Sequence, residues 1–130
     1  MSSGDASLDS GKIVLVEDDD DVRRSLTLLL RARGFTVEVY RSGVELLSNR
    51  RLPDADCYVI DYKMPRIDGL ELIAKLRAIG LTIPALLITG FFSNTLKARA
   101  CEAGYHDVIE KPPLNRALMD AIDRIMAQKS

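Results

Sequence analysis

The sequence predicts an α/β fold: a five-stranded parallel sheet with helices on both faces. Three observations carry that reading. Five short apolar runs alternate with five segments of helical period, the pattern that successive βα units produce. The runs at 12–16, 57–60 and 85–88 show little polar alternation, as strands buried on both faces do, whereas 35–40 alternates and 107–110 is short, as edge strands are. Each connection is long enough for a right-handed crossover between parallel neighbours.

Residues 1–11 hold four Ser, two Gly and two Asp and read as a flexible tail, with the domain over 12–127 and a short end at 128–130. Lys-Ile-Val-Leu-Val at 12–16 is the first strand, and it stops at five consecutive acids, Glu17 to Asp21. Val22, Leu26, Leu29 and Leu30 then form one stripe of an amphipathic helix that Gly34 terminates. After the strand at 35–40, Ser42 caps a short helix carrying Val44, Leu46 and Leu47, and Pro53-Asp54 marks the return loop. The third strand, Cys57-Tyr58-Val59-Ile60, ends on Asp61, and a loop through Met64-Pro65 follows. Asp68 caps the next helix, with Leu70, Ile73, Leu76 and Ile79 expected inward and Gly80 at its end. Pro84 precedes the fourth strand, which stops at Thr89-Gly90; Ser93 caps a helix to about Ala103, ended by Gly104. The last strand, 107–110, runs into Lys111-Pro112-Pro113, a junction that restricts the backbone and allows a cis peptide. The final helix sets Leu114, Leu118, Ala121, Ile122 and Ile125 on one side. This succession is compatible with a flavodoxin-like (βα)5 sheet of order 2-1-3-4-5.

Composition narrows the function. At 130 residues the chain suits one domain, and 47% hydrophobic with 28% charged residues suits a soluble globular protein. The net charge of −1 and basic runs no longer than Arg23-Arg24 and Arg50-Arg51 argue against a nucleic-acid interface. No apolar run approaches a membrane span, the N-terminus lacks the apolar core of a signal peptide, and Cys57 and Cys101 make no disulfide framework. A reducing, cytoplasmic setting is the expectation.

The chemistry collects where the buried strands end. Glu17 and Asp18 follow the first, Asp61 the third, Thr89 the fourth and Lys111 the fifth, and a parallel sheet brings these ends to one edge. Like charges ~4 Å apart repel by about 4 kcal/mol at an effective dielectric of 20, so the group calls for a cation or for shifted pKa values. All-oxygen donors suit Mg²⁺ or Mn²⁺. Each piece also has a plainer reading: Asp19 to Asp21 as carboxylates at a helix N-terminus, Asp61 as a loop cap, Lys111 as a surface lysine. The acidic run is no EF-hand loop, since the Gly at position six and the Glu at twelve are missing.

At these residues the sequence resembles a known family. Val14-Leu15-Val16-Glu17-Asp18-Asp19, Asp61 with Met64-Pro65 and Asp68-Gly69, Leu87-Ile88-Thr89, and Glu110-Lys111-Pro112 look like the motifs of receiver domains, the phosphoacceptor domains of two-component response regulators. The resemblance runs from about Lys12 to Ala127. Ile88-Thr89-Gly90 and Ala103-Gly104 with Ile109-Glu110-Lys111-Pro112 are most similar to receivers fused to transcription-factor outputs. It implies that Asp61 is phosphorylated by a histidine kinase or histidine phosphotransfer protein. It further implies that Glu17, Asp18, Asp61 and the backbone carbonyl of Lys63 hold Mg²⁺, and that Thr89 and Lys111 contact the phosphoryl oxygens. The surface around the fourth helix and fifth strand would then switch, toward an output domain or target protein, with a homodimer through the fourth and fifth helices as one arrangement. Such a domain is no enzyme in its own right, though it assists its own phosphorylation and dephosphorylation.

Three positions depart from the family pattern. Val108 stands three before the lysine, where an aromatic is usual, and Tyr105 lies three residues away from that place. Glu17 replaces the commoner Asp, and Pro113 stands where many members carry an aromatic. Lys63 and Phe91, two beyond Asp61 and Thr89, flank the path of an attacking water in the family and suggest slow self-dephosphorylation. Two other functions fit parts of the sequence. A haloacid-dehalogenase-type phosphohydrolase would use Asp18 in the signature Asp18-Asp19-Asp20-Asp21-Val22. A degenerate receiver would act as a binding module without phosphate. Beyond Ala127 the chain carries no output sequence, which fits a stand-alone receiver and the N-terminal domain of a longer regulator equally.

Overall fold

The computed structural model describes residues 10–111 and 115–128. The expected tail over 1–9, the Lys111-Pro112 junction with Pro113 and Leu114, and residues 129–130 lie outside them. In chain order the elements are β1 (Gly11–Val16), α1 (Asp20–Ala32), β2 (Phe35–Tyr40), α2 (Gly43–Leu47), β3 (Cys57–Asp61), α3 (Gly69–Ala78), β4 (Ala85–Thr89), α4 (Asn94–Ala103), β5 (Asp107–Glu110) and α5 (Asn115–Gln128). All strands are parallel, in the order β2-β1-β3-β4-β5.

Alternate residues of the central strands feed two cores, as the two-residue strand period requires. Ile13, Leu15, Val59, Leu86, Ile88 and Ile109 face α1 and α5, meeting Leu26, Leu30, Leu118, Ile122 and Ile125. Val14, Val16, Tyr58, Ile60, Leu87 and Val108 face the other way, against Leu46 of α2, Leu72, Ile73 and Leu76 of α3, and Leu96 and Ala100 of α4. The result is three layers, with every residue of β3 and β4 buried.

Side-chain caps set the helix starts. Asp19, Ser42, Asp68 and Ser93 each accept a backbone N–H at the head of α1, α2, α3 and α4. Asp68 and Glu71 complete a capping box on α3, fixing the exit of the loop that follows Asp61.

Two expectations are corrected. The inward face of α3 is Gly69, Leu72, Ile73 and Leu76, an i, i+3, i+4, i+7 stripe; Leu70 is half-buried, and Ile79 is 64% exposed because the helix ends at Ala78. The first strand begins at Gly11, one residue early, where Ser10 already donates its N–H to the Gly34 carbonyl. Among the described residues no helix is long and apolar enough to cross a membrane.

Candidate functional site

Strand register assembles the site. β1 pairs with β3 up to Val16 and Ile60, so the next step outward sets Glu17 beside Asp61. β3 pairs with β4 at Asp61 and Ile88, which places Thr89 one step beyond. Thr89 pairs with Glu110, and its carbonyl then accepts the Lys111 N–H at 2.8 Å.

Glu17, Asp18 and Asp61 each offer a carboxylate oxygen, and these lie within 4.8 Å of one another. Glu17 and Asp61 are buried and Asp18 is exposed. The Lys111 ammonium bridges the buried pair, with Nζ 3.0 Å from Glu17 Oε1 and 2.9 Å from Asp61 Oδ1. The other Glu17 oxygen accepts the Asp19 N–H at 3.1 Å. Burial, followed by repulsion from Asp61, pushes the Glu17 carboxyl up to about 7 against the pull of the Asp19 N–H and Lys111. Burial likewise raises Asp61, opposed by the hydrogen bond and charge of Lys111. Burial works against the charge on Lys111, but the bonds and attraction to Asp61 and Glu17 outweigh it and lift its pKa. Three carboxylates around one ammonium leave an excess of negative charge, which a hard cation with oxygen preference relieves. Among the described residues this is the acidic cluster close enough to share one ion.

The acidic run divides in a way the sequence left open. Glu17 and Asp18 enter the site, Asp19 caps α1, and Asp20 and Asp21 pair on the helix surface with Arg23 and Arg24. The phosphohydrolase signature is thereby split, since its second Asp, Asp20, serves Arg23 at 2.5 Å.

Thr89 is buried, and its Oγ1 accepts the Phe91 N–H at 2.8 Å, which leaves the hydroxyl proton able to donate. Lys63 is exposed, with its ammonium 5.3 Å from the Tyr62 ring centre and 5.5 Å from that of Phe91. Between Asp61 and α3 the chain makes a γ-turn, Ile67 N–H to Pro65 carbonyl at 2.8 Å, with Arg66 at φ 71°. Gly69 tolerates no side chain: a Cβ there would stand 2.8 Å from the Asp61 carbonyl oxygen and 2.6 Å from Leu87 Cδ1.

A cleft of about 940 Å³ opens from these carboxylates and runs along α1 past Val22, Leu26 and Leu29, with Asn115 at the head of α5 also lining it. It combines an acidic end with an apolar wall. Two contacts escaped the sequence reading. Arg23 reaches back to the Glu17 carbonyl at 3.0 Å, a link that only the helix start at Asp20 makes possible. Tyr105 is buried with its hydroxyl 2.7 Å from the Gly69 carbonyl; a buried tyrosine always raises the question of its partner, but the sequence does not name it.

Comparison with known proteins agrees with this geometry. The family description "Response regulator receiver domain" matches residues 13–123. The chain is 39% identical over 103 residues to Response regulator MprA of Mycobacterium ulcerans (strain Agy99), covering 79% of this chain and 44% of that protein. It is 34% identical over 110 residues to Nodulation protein W of Bradyrhizobium diazoefficiens, covering 85% and 48%. The chain thus spans about half the length of the curated relatives it matches. Among solved structures, FixJ-N superposes with a TM-score of 0.79 at 31% identity, covering 89% of this chain and 93% of that one. The receiver domain of the Francisella response regulator 1452 gives a TM-score of 0.86 at 22% identity, covering 93% and 100%, and shows the shared fold. On the family match, the close relatives and the superposition together, the chain belongs to the receiver domains of two-component response regulators.

Proposed function

We propose that this domain receives a phosphoryl group on Asp61 from a histidine kinase or histidine phosphotransfer protein, and passes its state to an output domain or target protein. The observation that supports it most is the buried Asp61 carboxylate at a strand end, 2.9 Å from the Lys111 ammonium and grouped with Glu17 and Asp18. Glu17, Asp18, Asp61 and the Lys63 backbone carbonyl would hold Mg²⁺, with Mn²⁺ as a substitute; their hard oxygen donors fit that ion. Bound there, the ion neutralises negative charge as the phosphate approaches the carboxylates.

Phosphoryl transfer asks for positioning and charge stabilisation. Asp61 is fixed by the β3–β4 ladder and by the Gly69 backbone packed against its peptide. Lys111 supplies a positive charge already at hydrogen-bond distance, and the Thr89 hydroxyl has a proton to give to a phosphoryl oxygen. Drawing Thr89 toward that oxygen would pull the loop to α4 and rearrange the α4–β5 surface. The domain acts in the cytoplasm, pairs through α4 and α5 when it forms a homodimer, binds no nucleic acid itself, and serves as a signalling domain whose only chemistry is on its own aspartate. The process it serves is the regulation of transcription.

The test is which carboxylate takes phosphate from a small acyl phosphate with Mg²⁺. Labelling that survives Asp18→Asn in part and vanishes in Asp61→Asn supports the receiver reading. Multiple-turnover hydrolysis lost in Asp18→Asn and kept in Asp61→Asn would replace it with a phosphohydrolase.

A further inference from the structure

We propose that Tyr105 is a positioning residue for the phosphoacceptor loop: its buried hydroxyl holds the Gly69 backbone against the peptide that carries Asp61. This role rests on the reading of Asp61 as the phosphoacceptor. Tyr105 lies between α4 and β5, is 4% exposed, and donates its hydroxyl to the Gly69 carbonyl at 2.7 Å. Burial holds the phenol well above its ordinary pKa, so the donor proton is present throughout the working range.

Gly69 is gripped on three sides. Its N–H donates to the Tyr62 carbonyl at 2.8 Å. Its Cα lies so close to the acceptor peptide that an added Cβ would be 2.8 Å from the Asp61 carbonyl oxygen and 3.1 Å from Tyr62 Cα. Tyr105 closes the third side from 36 residues further along the chain.

The far end of this strut is itself anchored. The Tyr105 N–H donates to the Ala100 carbonyl at 3.0 Å, and Arg77 donates to the carbonyls of Gly104, Leu81 and Ile83 at 2.8, 2.9 and 2.8 Å. Gly104 is required for this fit, since its φ is 127° and a Cβ would meet Arg77 Nε at 2.9 Å. A shift of the α4–β5 turn must therefore stretch the Tyr105–Gly69 bond or carry Gly69, and with it the Asp61 loop. Coupling of this kind acts in both directions. Val108, buried on the same face of the sheet, has no polar group with which to make such a link.

Tyr105→Phe keeps the ring and deletes only the donor, while Ile122→Val trims the core on the opposite face of the sheet and serves as the control for simple destabilisation. Each protein is phosphorylated with acetyl phosphate at saturating Mg²⁺, and the limiting rate and half-saturating donor concentration are measured separately. Tyr105→Phe is expected to lower the limiting rate about fivefold, the factor one ordinary hydrogen bond corresponds to, with the half-saturating concentration unchanged. Ile122→Val should leave both unchanged. A Tyr105→Phe rate equal to wild type, or an equal loss in Ile122→Val, overturns the role. In the wild-type protein, beryllofluoride with Mg²⁺ should shift the Tyr105 ring and Gly69 carbonyl resonances together; unmoved resonances also overturn it. A wild-type chain that takes no phosphate on Asp61 overturns the reading of the site and this role with it, an outcome distinct from a normal Tyr105→Phe rate.

Discussion

Raising the pH from about 5 to about 8 in a metal-free buffer should destabilise this protein, the reverse of what surface ion pairs would give. The cause is Glu17. Its carboxyl titrates at about 7 in the folded chain and at its ordinary 4.5 once unfolded. Between those values the unfolded chain has released a proton that the folded chain keeps, so stability is full below 4.5 and declines as pH rises toward about 7. Burial and the neighbouring Asp61 are the causes, so the loss belongs to the site and not to the surface. Asp61 is also raised by burial and works in the same sense. Asp20 and Glu38 are lowered by their cationic partners, so their contributions are lost only as pH falls below the ordinary carboxylate range and do not overlap this window. Glu17→Gln keeps one acceptor oxygen, enough for the Asp19 N–H or for Lys111 but not for both, and has no charge to bury. Urea unfolding in chelator at three pH values across this range reads the effect. Wild-type stability should fall across it, Glu17→Gln should fall much less and exceed wild type at the alkaline end, and Mg²⁺ should restore the wild type there. Wild-type stability that stays flat or rises, or a Glu17→Gln curve as steep as wild type, would refute the reasoning.

Three further outcomes follow from single contacts. Gly69→Ala forces a methyl to 2.8 Å from the Asp61 carbonyl oxygen and 2.6 Å from Leu87, so it should cost about 2 kcal/mol in urea unfolding and slow phosphorylation. Arg66→Gly removes the left-handed strain at φ 71° and should stabilise the fold by about 1 kcal/mol in the same assay. The Phe91 ring lies 5.5 Å from the Lys63 ammonium, and the resemblance to receiver domains implies that both flank the path of an attacking water. Phosphate on Asp61 should therefore be lost faster from Phe91→Glu than from wild type when intact protein is followed by mass over time; faster loss from wild type would contradict that.

Much of the fold could be read in advance because its signals are local. Period-two and period-3.6 patterns give the elements, and Asp19, Ser42, Asp68 and Ser93 are caps within three residues of the N–H they bind. The site was legible for a topological reason: once the strands are parallel, their ends share an edge, and Glu17, Asp61, Thr89 and Lys111 meet there whatever the loops do. What stayed hidden depends on where helices start and stop or on partners distant in sequence. The split of the acidic run follows from α1 beginning at Asp20, and the outward turn of Ile79 from α3 ending at Ala78. The bond from Tyr105 to Gly69 and the grip of Arg77 on Gly104 join segments whose approach only the packed α3–α4 face decides. No periodicity encodes those.

The central claim, that Asp61 accepts phosphate, is met most directly by intact-mass spectrometry after incubation with Mg²⁺ and acetyl phosphate. The account predicts one added phosphoryl group on the wild-type chain, none when Mg²⁺ is chelated, and none on Asp61→Asn. An unmodified wild-type chain under conditions that phosphorylate another receiver domain would contradict it and leave a binding module; a phosphoryl group that persists on Asp61→Asn would place the chemistry on another residue.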